Sequence, residues 1–278
     1  MTTYSLTHAR HDPAHCLAPL LFRSLQKGER GTSKLHVVYE FGSDRIEFKG
    51  PEPLGADDLR VLQGLVALAG PSTLLLNQAP KQDDGVKIRE KLHLSGDAES
   101  DEAILIKSSY RLLAHEIGYA ADSGKTRQAI RSSIERLWQV SIIVQSGKTR
   151  KGFRMLSEYR SDDGIGANDG RLYVALNPRI TEAVLSERPF ARIDMEEVRK
   201  LKTDPARLLH QRLCGVIDPA KTRKITLDKL CSYVWSESKV STTIRQRKFK
   251  VRSALKELGR AGWTIDEYEA AKFSIKRP

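Results

Sequence analysis

Residues 241–258 read STTIRQRKFKVRSALKEL. At helical spacing, Ile244, Val251, Ala254, Leu255 and Leu258 fall on one side, while Arg245, Phe249, Arg252 and Lys256 fall on the other. The first side is fit for a core. The second is cationic and carries an aromatic ring. Ser241, Thr242, Thr243 and Gln246 gather at the N-terminal end, where hydroxyls and free backbone N–H groups suit phosphate.

The flanks give this helix its setting. Upstream, Thr226 opens the short helical pattern TLDKLCSYVW, and before it Asp204 and Pro205 read as the N-cap and first residue of DPARLLHQRLCGVID. Downstream, Gly259 or Gly262 ends the helix, and WTIDEYEA and KFSIKR alternate as a terminal hairpin. The order helix, short helix, turn, long basic helix, β-hairpin is that of a helix-turn-helix with a wing.

Residues 57–160 repeat this order with a longer first connection. Asp57 or Asp58 caps LRVLQGLVALAG, and Ser108 or Ser109 caps KSSYRLLAHEIGY. The helix DSGKTRQAIRSSIERLWQV turns Ile130, Ile134 and Leu137 toward a core, with Lys125, Gln128, Ser132 and Arg136 outward and Arg131 and Glu135 beside them. The strands SIIVQS and FRMLSEYR flank a GKTRKG turn carrying Lys148, Arg150 and Lys151. Residues 71–101 read as a loop-rich connection with one short strand, and DDGIGANDG as a flexible link. The chain is therefore read as α+β, two tandem winged-helix domains (helix-turn-helix plus β-hairpin wing). The N-terminal domain covers 1–189 and the C-terminal domain 190–278.

Composition narrows the partners. Lys and Arg number 47 against 35 Asp and Glu, a net charge of +12 that favours a polyanion. No apolar run approaches the roughly 20 residues of a membrane span, and the N-terminus lacks an export pattern. Cys16, Cys214 and Cys231 are widely spaced, so no disulfide framework is expected and a cytoplasmic location fits. Cys214 and Cys231 read as core residues.

Catalysis has no good signal. There is no P-loop. Asp57–Asp58, Asp83–Asp84 and Asp162–Asp163 read as caps and turns. Tyr4, Tyr110 and Tyr119 lack the His pair that a strand-cleaving nucleophile needs. His8, His11, Asp12, His15 and Cys16 are metal-capable, but their spacing matches no zinc finger and no second cluster completes it. The expectation is a non-enzymatic DNA-binding protein without metal or cofactor. A second helix of this shape fits the major groove, where Arg forks guanine and Phe249 can pack on a thymine methyl. The bland alternative is a solvated basic face with Phe249 packed on a neighbouring element.

Several long strings then resemble a known family. HARHDPAHCLAPLLFRSL, GPEPLGADDLRVLQGLVALAG, IERLWQVSIIVQ, FRMLSEYRSD, GRLYVALNP and ARLLHQRLCGVIDPAKT are similar, in the same order, to the RepC replication initiators of IncQ-type broad-host-range plasmids. The resemblance is weakest at 72–101 and 236–250. It implies binding to iteron repeats at the plasmid vegetative origin, melting of an adjacent AT-rich segment, and loading of the plasmid's helicase and primase. It also implies exchange between a homodimer and a DNA-binding monomer. Iteron reading is expected of the second domain, and backbone contacts with a dimer or helicase surface of the first. The alternative from the same modules is a transcriptional repressor.

Overall fold

The computed structural model describes residues 4–70, 73–76, 103–119, 123–162, 171–238 and 240–278. The first half begins with strand β1 (His8–His11) and the short helix α1 (Pro13–Leu17), whose first turn is capped by the Asp12 carboxylate. A hairpin follows, β2 (Leu35–Phe41) and β3 (Asp44–Gly50), turning at Gly42 with φ 62°. Helix α2 (Ala56–Leu68) is buried along almost its whole length. Strands β4 (Thr73–Leu76) and β5 (Ala103–Ser109) come next, and β5 runs straight into helix α3 (Tyr110–Glu116). Then come helix α4 (Gly124–Gln139), strands β6 (Ser141–Ser146), β7 (Thr149–Arg154), β8 (Leu156–Asp162) and β9 (Arg171–Leu176), and helix α5 (Pro178–Leu185).

The second half holds β10 (Ala191–Asp194), α6 (Met195–Lys200), α7 (Asp204–Val216), β11 (Thr222–Thr226), α8 (Leu227–Ser232), α9 (Ser241–Ala261), β12 (Thr264–Glu269) and β13 (Lys272–Lys276). Thr203, rather than Asp204, is the N-cap of α7, so Pro205 lies at the second helical position, where its missing N–H still costs nothing. Gly262, with φ 121°, ends α9.

The two halves share a connectivity that the sheets make plain. In the second, strand order is β11-β13-β12, so the strand before the short helix pairs with the last strand. In the first, the order β4-β5-β9-β8 repeats this, with β9 in the place of β13. The registers agree: Ser109 caps α3 and pairs with Arg171, and Thr226 caps α8 and pairs with Lys272. The hairpin that closes the first sheet is thus β8–β9. The DDGIGANDG segment between them begins with Asp162, the last residue of β8, and its remaining residues, 163–170, lie outside the described residues. The β6–β7 hairpin, which the sequence reads as the first wing, joins β2–β3 in a sheet of order β2-β3-β6-β7. FRMLSEYR is accordingly divided. Arg154 ends β7, the buried Met155 donates its N–H to the Val140 carbonyl at 2.8 Å, and β8 enters the other sheet.

One hydrophobic core runs through both halves, from Leu6 to Ile275. Strand β1 pairs antiparallel with β10, so the strand just after residue 190 is held by the N-terminal segment. Gln63 of α2 and Gln211 of α7 are buried and bonded at 2.6 Å. No helix among the described residues is long and apolar enough to cross a membrane.

Two residues concentrate the packing around α2. The carboxylate of Asp58 is fully buried. One oxygen accepts the Gly55 N–H at 2.8 Å and Arg30 at 3.0 Å; the other accepts Arg136 of α4 at 2.8–2.9 Å. Gly64 lets α3 approach closely, since a Cβ there would meet Ile117 at 2.2 Å and Leu113 at 2.8 Å. Asp58→Ala leaves two arginines without their counter-charge and α2 without its N-terminal bond, and is expected to cost about 3 kcal/mol. Gly64→Ala overpacks the α2–α3 contact, with an expected cost of about 1–3 kcal/mol. Chemical denaturation of the full chain measures both. A loss below about 0.5 kcal/mol, the range of a neutral surface change, would contradict either reading.

Candidate nucleic-acid interface

Helix α9 has 21 residues, about 31 Å of axis. Its buried residues are Val251, Ala254, Leu255, Leu258 and Ala261, all in the C-terminal half. The first ten residues, 241–250, contribute no buried residue to the core: Thr243, Arg247 and Lys248 are half-buried and the others exposed. Ile244, expected in the core, is exposed for this reason: it continues the apolar side past the point where the domain ends. Phe249 is 74% exposed, so the alternative in which its ring packs on a neighbour does not hold.

Four polar contacts set the direction of the projecting half. Arg247 donates to the Ser236 carbonyl at 2.6 Å and stacks over Trp235. Lys248 pairs with Asp228 of α8 at 2.7 Å. Glu257 accepts the N–H groups of Lys202 and Thr203 and the Thr203 hydroxyl at 2.8–3.2 Å, tying α9 to the start of α7. Arg252 meets Glu267 of β12 at 2.5 and 2.8 Å. That hydrogen-bonded pairing pushes the Arg252 pKa up. The same bonds, with the Ala271 N–H, hold the Glu267 carboxyl below its usual range.

What remains on the outer face is specific. Arg245, Phe249 and Lys256 are exposed, and neither cation has an ion-pair partner among the described residues. Ser241, Thr242 and Gln246 are exposed at the N-terminal end and Thr243 is half-buried. Lys250 and Arg260, not singled out from the sequence, are exposed on the same helix. Arg260 lies past Gly259 in the last turn, because Gly262, the second of the two stops read from the sequence, ends the helix. The neighbouring hairpin is acidic: Asp266, Glu267 and Glu269 are exposed on β12, and Lys272 is engaged by Glu269 at 2.7 Å.

In the first half, Lys125 and Gln128 are exposed on α4, and Gln128 donates to the half-buried Ser132 at 3.4 Å. Arg131 lies over the Tyr110 ring at 5.6 Å. Arg136, expected outward, is turned inward to Asp58, because a fully buried carboxylate demands its charge. Lys148, Arg150 and Lys151 are exposed at the tip of β6–β7. They stand on a different sheet from β8–β9, so they are not arranged about α4 as β12–β13 is about α9.

The metal-capable segment serves the core. Asp12 caps α1 and accepts from Arg179 at 2.8 Å. His11 and His15 are buried, and burial lowers their pKa to about 3 and about 4, so both rings are neutral. Among the described residues no group of three or more His, Cys, Asp or Glu could hold a metal. Cys16 and Cys214 are buried free thiols; Cys231 is half-buried.

No curated protein matches the chain significantly in sequence. Two crystal structures of RctB domains 2 and 3 share its fold. One has a TM-score of 0.56 at 12% identity, covering 96% of this chain and 98% of that one. The other has a TM-score of 0.52 at 14% identity, covering 95% of each. A family model, Replication protein C (RepC), matches residues 3–278. The chain belongs to the RepC family of DNA replication proteins.

Proposed function

We propose that this chain is the initiator of an IncQ-type plasmid, a non-enzymatic protein that binds iteron repeats at the vegetative origin. Each half is a winged helix, with α3–α4 and β8–β9 in the first and α8–α9 and β12–β13 in the second. The N-terminal half of α9 enters the major groove and reads the repeat, and the first half adds phosphate contacts. Binding strains an adjacent AT-rich segment, on which the plasmid's helicase and primase act; a homodimer is the resting form. The observation that carries this reading is the projecting end of α9, where Arg245 and Phe249 stand exposed beside a hydroxyl-rich helix N-terminus. Membership of the RepC family supports the origin as the target. Footprinting on the cognate plasmid tests it. Tandem direct repeats are expected; protection confined to a promoter palindrome would contradict it.

Two substitutions follow. Arg245→Ala relaxes base preference at one position of the repeat, because a bidentate Arg–guanine pair is worth about 1–3 kcal/mol of discrimination. Lys256→Ala, about three turns further from the helix start, weakens all single-base variants alike. Binding to a panel of such variants at two salt concentrations separates these outcomes, and uniform weakening by Arg245→Ala would contradict direct reading by that residue. Replacing Lys148, Arg150 and Lys151 together by Ala is expected to weaken specific and random DNA equally. The log–log salt slope should fall by about 0.9 for each phosphate that the tip no longer neutralises. An unchanged slope would move that tip off the DNA and favour a protein-facing role for the β2-β3-β6-β7 sheet.

A further inference from the structure

Arg252 lies one turn from the exposed Phe249, on the face assigned to DNA, yet its guanidinium is already occupied. Its Nη1 and Nη2 donate to Glu267 Oε2 and Oε1 at 2.5 and 2.8 Å. That is the same two-pronged fork by which an arginine grips guanine O6 and N7 or a phosphate. Glu267 is itself held: its Oε1 also accepts the Ala271 N–H at 2.9 Å, across the turn of β12–β13. Arg252 in addition lies 5.3 Å over the Phe273 ring. The two side chains keep 40% and 35% of their exposure, so the pair sits at the surface between α9 and the hairpin. Asp266 and Glu269 flank Glu267 on the same strand, which makes this hairpin a poor grip for phosphate.

We propose that Glu267 is a specificity-determining residue of the DNA-facing surface, withholding Arg252 from the phosphates of non-cognate DNA. The inference rests on the reading of α9 as the groove-entering helix. A phosphate passing this surface gains Arg252 only by breaking two hydrogen bonds, and doing so leaves the Glu267 carboxylate facing a polyanion. Random DNA therefore gains little at this point. A phosphate can take the same fork but brings its negative charge up to Glu267, whereas a guanine edge held in register replaces both bonds with neutral acceptors. Discrimination then comes from a penalty on the wrong partner, in addition to any attraction to the right one.

The test uses the full chain and its Glu267→Gln variant, which keeps the shape of the side chain and removes the charge. Affinities are measured for origin-repeat DNA and for random DNA of equal length over a salt series. Glu267→Gln is expected to bind random DNA more tightly, to steepen its log–log salt slope by about 0.9 as one more phosphate is neutralised, and to lower the ratio of specific to random affinity. In an Arg252→Gln background the same change should leave slope and ratio unaltered. An unchanged slope and ratio would overturn the proposal. So would an equal loss of both affinities, which is what a merely structural bond between helix and hairpin predicts. Should the unsubstituted chain fail to prefer origin repeats over random DNA, the reading of α9 falls and this proposal with it. That result is seen before any variant is made.

Discussion

Everything proposed for this protein depends on how the apolar residues of α9 are distributed. Val251, Ala254, Leu255, Leu258 and Ala261 anchor its C-terminal half among α7, α8 and the three-stranded sheet. No buried residue of α9 lies before 251, so the helix continues for ten residues with no core beneath it. Exposed helix of this length is marginal on its own. Here it is continuous with an anchored segment, and Arg247 braces it against the α8–α9 connection and Lys248 against α8. The outcome is a projecting rod whose outward residues are few and whose direction is fixed by polar contacts.

Much of this was legible in the sequence. The period of the apolar residues in 241–258, the Thr226 cap and the alternation of the last fifteen residues were enough to place α8, α9 and the terminal hairpin. What could not be read was the end of the core. Ile244 fits the apolar period as well as Val251 does, and only the packing reveals that the domain stops short of it. The fates of Arg136 and Arg252 were hidden for a related reason. Each lies on an outward arc of its helix, but each meets a carboxylate distant in sequence, Asp58 in one case and Glu267 in the other. Helical periodicity describes one element at a time and says nothing about such partners.

Sheet membership was the other blind spot. SIIVQS forms β6, and FRMLSEYR supplies the end of β7 and most of β8, but Thr149–Gly152, read as part of the GKTRKG turn, belong to β7. Nothing local says that Met155 separates two sheets, or that β6 would find β3 rather than β5. The matching registers at Ser109–Arg171 and Thr226–Lys272 reveal the common plan of the halves. The long insertion between α4 and β8 obscures that plan in the sequence. The halves are also more closely joined than a boundary at residue 190 implies. The β1–β10 pairing and the Gln63–Gln211 bond both cross that boundary.

The central claim is that the free half of α9 lies against bases. The most direct measurement replaces Phe249 by a photo-crosslinking amino acid in the full chain and maps the adducts on cognate origin DNA. The account predicts adducts at one fixed base position, recurring in each direct repeat. Val38, exposed on β2, serves as the reference position and should give none. Efficient adducts from position 38 with none from 249 would contradict the account and move the DNA-binding face to the β2-β3-β6-β7 sheet.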